Sequence, residues 1–119
     1  MTTQQTLHDI FVTALEGGIG YWSAASAYHW SNTDGSADLD GFYAVVHEVD
    51  TDTGDYAPEG QRIDAAVVRR GLRRAMESPY PALRRLARDL TFDPDEADYD
   101  AADADAIVQL GLWGEIVYG

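Results

Sequence analysis

Most of the strand-like patterning of this sequence falls in one block, residues 21–62, with helical periodicity on both sides of it. Strands gathered in one block pair through local hairpins, whereas a parallel sheet needs a crossover helix between successive strands. The chain is therefore expected to fold as α+β, a small antiparallel sheet of three or four strands packed against three or four helices. With 119 residues, 45% of them hydrophobic, residues 1–119 read as a single domain with a modest core.

Residues 3–16 place Leu7, Ile10, Phe11, Ala14 and Leu15 on one helical stripe, and Gly17 and Gly18 read as a left-handed stop. Tyr21 to Trp30 reads as the first strand, with Trp22, Tyr28 and Trp30 on one face and Tyr21, Ala25, Ala27 and His29 on the other. A polar turn spans 31–40. Phe42 to Val49 is the clearest strand, being rich in β-branched and aromatic residues. Asp50 to Asp55, with Thr53-Gly54, reads as a hairpin turn. A weaker third strand is expected near Tyr56 to Arg62, where Pro58 and Gly60 push it to an edge.

Asp64 is placed to cap a helix over 65–77, with Ile63 as a staple residue and Val67, Val68, Leu72 and Met76 inward. Pro79 and Pro81 separate it from a helix over 81–90 built on Leu83, Leu86 and Leu90. Thr91 to Asp100 is acidic and irregular. Asp103 is expected to cap a last helix ending at Leu110, and Glu115 to Tyr118 to close as a strand.

The chain carries 21 acidic and 8 basic residues, a formal charge of −13, and no cysteine. The basic residues are all arginine: Arg62, Arg69, Arg70, Arg73, Arg74, Arg84, Arg85 and Arg88. Outside that stretch every charged side chain is acidic, a segregation that bears on partner choice more than on fold. Lack of cysteine excludes disulfides, thiolate metal sites and a cysteine nucleophile, and suits a reducing compartment. No apolar run approaches the roughly 18 residues of a membrane span. Met1 to Asp9 has none of the basic residues of a signal peptide, so the expected location is cytoplasmic, without membrane attachment.

Motifs of catalysis and ligand binding are incomplete. Gly17, Gly18 and Gly20 follow a helix and precede a strand, the reverse of a nucleotide cradle. Asp50, Asp52, Gly54 and Asp55 begin like a calcium loop, but the twelfth position from Asp50 is Gln61 instead of glutamate. Asp93, Asp95, Asp98 and Asp100 lead likewise to Ala104. No metal, no cofactor and no catalytic residue is assigned. His8, His29 and His47 lack ligand spacing, although His29 and His47, on neighbouring strands, are placed to meet across a hairpin. Ser23, Ser26 and Ser31 sit in no nucleophile-elbow context.

Two charged surfaces remain as candidate interaction sites. Arg69, Arg70, Arg73 and Arg74 form a basic stripe, and Arg84, Arg85 and Arg88 repeat it. Such stripes bind phosphate, or they pair with carboxylates of the same chain or a neighbouring subunit. The overall charge argues against direct nucleic-acid binding. The acidic surface comprises Asp93, Asp95, Glu96, Asp98, Asp100, Asp103 and Asp105, whose carboxylates, if regularly spaced, imitate a phosphate backbone.

Two segments, Ala14-Leu15-Glu16-Gly17-Gly18-Ile19-Gly20-Tyr21-Trp22 and the run from Asp103 through Gln109 and Trp113 to Gly119, resemble the ends of a group of small proteins encoded by bacteriophages, especially those of actinobacteria. The resemblance implies a phage or prophage origin and supplies no activity. Together these features lead to the expectation of an acidic protein that binds a host or phage protein, inhibiting or redirecting a nucleic-acid-handling or defence enzyme. The alternatives are a self-assembling protein in which arginines meet acids of the next subunit, and a small nucleotide-related enzyme with Glu16, Tyr21, His29 and His47 around its site.

Overall fold

The computed structural model describes residues 3–119; of the Met1 to Asp9 stretch, Met1 and Thr2 lie outside the described residues. Helix α1 (Gln4–Thr13) begins at Thr3, whose side chain accepts the Thr6 N–H. Strands β1 (Ser23–His29), β2 (Tyr43–Glu48) and β3 (Gln61–Asp64) form one antiparallel sheet in that order. Helices α2 (Ala65–Ala75), α3 (Pro81–Phe92) and α4 (Ala101–Trp113) follow. The expected α+β fold is thus the observed one.

Burial follows the pleat. Ala44, Val46 and Ile63 point to the helices and are fully buried, as are Leu7, Ile10 and Phe11 of α1 and Val68 of α2. Tyr43, Val45 and His47 point the other way and stay half-exposed, so one sheet face lies against the core and one is open. The domain is correspondingly flat, 41 × 40 × 19 Å. Asp50 and Asp55 close the β2 hairpin turn through a backbone bond of 2.9 Å, with Gly54 at φ +77°.

Local patterning fails at five places. Gly17 and Gly18 do not stop the first helix in a left-handed turn; the chain widens into a π-helical turn, Ala14–Gly18. Gly18 is needed there because a Cβ would sit 2.6 Å from the Ala101 carbonyl oxygen of α4. A bulge at Ser26 interrupts β1: Ala25 faces Val46 and Ala27 faces Val45, so Ala25 and Ala27 fall on opposite faces. The third strand lies beyond Gly60, and only a bridge from Val49 to Tyr56 marks its expected start.

The last helix starts earlier and ends later than its sequence suggests. Asp100 is the N-cap, and Asp103 completes a reciprocal capping box from inside the first turn. Gly111 lies within the helix because α2 crosses α4 at Gly71 and Gly111. A Cβ on either glycine would come within 2.0 or 2.1 Å of the opposite backbone. The stop comes at Gly114, at φ +78°. Finally, Glu115 to Tyr118 is not a strand: the N–H groups of Val117 and Tyr118 both donate to the Gln109 side chain, 2.8 Å each, and not to a sheet.

Candidate functional site

Opposite charges within this chain scarcely pair with one another. Among the described residues Arg62 pairs with Asp64 at 3.3 Å, and His29 Nε2 lies in hydrogen-bond contact with Asp38 at 2.8 Å. The arginines of α2 turn to carbonyls instead. Arg70 Nε donates to Gly111 O at 2.8 Å, and Arg74 donates to Leu110 O. Those carbonyls lie in the last turn of α4, which has no basic residue of its own; Leu110 O also accepts the Gly114 N–H at 2.9 Å, and the two guanidinium groups add charged donors at this C-terminal end. Arg69 bonds Gln4, and Arg84 bonds Ser78 O at 2.9 Å. Arg73, Arg85 and Arg88 have no polar partner among the described residues. The basic stripe therefore divides into structural and unpaired members.

The acidic set divides in the same way. Asp93, Asp95, Glu96 and Asp98 are exposed on and beside a short 3₁₀ turn, Pro94–Glu96. Asp93 N–H to Asp89 O ties the turn to α3, and half-buried Ala97 and Tyr99 pack it against the core. Asp100 and Asp103 are committed to the α4 cap. Burial, and then the Asp100 and Asp98 charges, push the Asp103 carboxyl above its usual range.

Asp105 is not a surface residue. It is 6% exposed, and its carboxylate accepts three side-chain bonds. Oδ1 takes Trp22 Nε1 and Gln109 Nε2, both at 2.8 Å, and Oδ2 takes the Tyr21 hydroxyl at 2.6 Å. Gln109, fully buried, also holds the Tyr118 backbone, and the Tyr118 ring stacks on Trp22 at 5.3 Å. The Tyr118 hydroxyl in turn donates to Glu48. Burial, followed by the Asp105 carboxylate, raises the Tyr21 pKa to about 12. The segments 14–22 and 103–119 thus meet in one polar and aromatic cluster. The sequence holds a signal for it: α4 is apolar nearly all round, so its Asp105 and Gln109, one turn apart, must be buried with partners.

The histidines go separate ways. His29 stands opposite Tyr43 and bonds Asp38, while His47 stands opposite Ala24, so the two do not meet across the hairpin. His8 is buried and bonds Trp30 O at 2.8 Å. His47 Nδ1 lies 2.9 Å from Ala57 O, and its Nε2 lies 2.9 Å from Ser26 Oγ. Glu16, Tyr21, His29 and His47 accordingly do not converge on one site: Tyr21 is engaged by Asp105, and each histidine has a different partner. No helix among the described residues is long and apolar enough to cross a membrane.

In comparisons with known proteins, no family model, curated protein or solved structure matches this chain.

Proposed function

We propose that this protein acts by binding another protein, with Asp93, Asp95, Glu96 and Asp98 as the contact. The observation that carries the reading is the failure of these carboxylates to pair with any arginine of their own chain. Unpaired charge fixed on an anchored turn keeps its field for a partner, steering encounter and setting register. A basic, nucleic-acid-handling or defence enzyme of a bacterial host is the partner that fits this charge and the phage-protein resemblance. Asp100, Asp103 and Asp105 take no part in the contact, because capping and burial already occupy them.

A second reading rests on Arg73, Arg85 and Arg88, equally unpaired: copies of the chain associate head to tail, arginines on acids. The test is affinity capture from a nuclease-treated actinobacterial lysate at low and moderate salt. The baits are the parent and a variant with Asp93, Asp95, Glu96 and Asp98 all changed to lysine. One stoichiometric partner held by the parent, released by salt and lost in the variant is the expected result. A partner retained equally by the variant overturns the acidic contact. A parent that captures only itself, and dissociates with salt in light scattering, replaces the first reading with the second.

A further inference from the structure

We infer that Ser26 is a nucleophile activated by His47, giving this protein a hydrolytic activity toward small, uncharged acyl esters. The inference begins with proton placement. Ala57 O can only accept, so the 2.9 Å contact requires the proton on Nδ1 of His47. In neutral imidazole Nε2 is then the acceptor, and Ser26 Oγ, 2.9 Å away, donates to it. A hydroxyl bonded to an imidazole whose tautomer is fixed by a third group is the arrangement that nucleophilic catalysis requires. The other acceptor in reach of Ser26, Val45 O, lies at 3.5 Å, the outer limit of a hydrogen bond.

A bulge in β1 coincides with this pair. Ser26 is the extra residue between Ala25 and Ala27, without a partner on β2. Regular alternation would put Ser26 on the face of Ala24 and leave Ala27 on the other; the bulge instead turns Ala27 outward beside it, at an exposed edge strand. Bulges of this kind re-aim a side chain next to a reaction site. An open cleft of about 500 Å³ lies over the pair, floored by Ala24 and Ala25 and walled by Tyr56 and Pro58. Ala24, Ala25, Ala57 and Pro58 make much of its lining small and apolar, which suits a short acyl group, and the chain's net charge of −13 disfavours an anionic one.

The reaction balances with water alone. Ser26 Oγ attacks the ester carbonyl as its proton passes to His47 Nε2; that proton leaves with the alcohol, and an acyl-serine remains. Water then gives a proton to Nε2 and attacks the acyl carbon, and Ser26 Oγ recovers the proton as the carboxylic acid departs. General-base assistance of this type contributes roughly 10²–10⁴-fold.

The test uses the whole chain with a fluorophosphonate probe, in which serine displaces fluoride, and with p-nitrophenyl acetate. Intact-mass and peptide mapping are expected to show one adduct on Ser26, absent in Ser26→Ala. His47→Gln is expected to slow labelling at least about 100-fold, while His29→Gln, a folding and surface-histidine control, leaves it unchanged. No adduct on Ser26, adducts spread over several hydroxyls, or equal rates in folded His47→Gln each overturn the inference. None of these outcomes bears on the acidic contact, which lies in another segment.

Discussion

Asp105→Ala separates a buried acceptor from a surface acid by the sign of its effect. For a surface carboxylate on a chain of charge −13, removing one negative charge relieves repulsion and is neutral or slightly stabilising. The structure requires the opposite. Trp22, 1% exposed, loses the acceptor for its indole N–H and cannot reach water, which costs about 1–3 kcal/mol. Gln109 keeps its bond to Tyr118 O, and the half-exposed Tyr21 hydroxyl turns to solvent, so each adds about 0.5–1 kcal/mol. The expected loss is about 3 kcal/mol, or roughly 10 °C in Tm for a domain of this size.

Asp105→Asn is the matching control. Trp22 and Gln109 share Oδ1, so an amide oxygen placed there keeps both, and the Tyr21 hydroxyl needs only to rotate and accept from the amide nitrogen. Its cost is about 1 kcal/mol. The Tyr21 pKa, about 12 in the parent, is expected to fall toward but not reach 10.0 in Asp105→Asn, since burial is its largest cause. Urea melts and an ultraviolet tyrosinate titration read both effects. Equal costs for the two variants, or an Asp105→Ala midpoint at or above the parent's, would refute the network as described.

Gly71→Ala is expected to lose at least about 3 kcal/mol, because its Cβ would meet Ile107 O at 2.0 Å and force α2 away from α4. Gly20→Ala, with nothing within 4 Å, is its near-neutral counterpart in the same thermal melts. Asp103, whose folded pKa is raised, binds its proton more tightly in the native state. Parent stability therefore receives a gain from this group as pH falls from neutral through its raised pKa, complete below the unfolded value. Asp103→Asn, which keeps an acceptor for the Asp100 N–H, is expected to lack that gain in melts across the acid range.

What the sequence makes legible here is whatever neighbours in the chain decide. The β-branched run of β2, the Asp64 cap and the prolines at 79 and 81 that set the start of α3 all act within a few residues, and each stands where local chemistry puts it. Gly17-Gly18 shows where that fails. A glycine pair after a helix means either a left-handed turn or a close approach, and the Ala101 carbonyl that decides between them is more than 80 residues away. The 115–118 segment is β-branched and aromatic like a strand, yet strand character depends on which acceptor its N–H groups find, and Gln109 supplies it. Among the candidate site residues, the exposed acids and unpaired arginines are legible as surface. Asp105 is not separable from its acidic neighbours until α4 is recognised as central. Ser26 and His47 carry no motif, since they meet only through the pairing of β1 with β2, 21 residues apart in the chain.

The bond from Trp22 to Asp105 spans 83 residues, and the one from Tyr21 spans 84. During synthesis the sheet, α1 and the arginine helices all emerge before the acceptor they are built around. Until α4 leaves the ribosome, the largest buried side chain of the domain has no counterpart for its N–H and no Tyr118 ring to stack on. Closing so long a loop costs chain entropy before any contact repays it. The domain is therefore expected to fold in a late, concerted step that waits for α4, with Trp22 fluorescence changing last, and not by growth outward from its first helix.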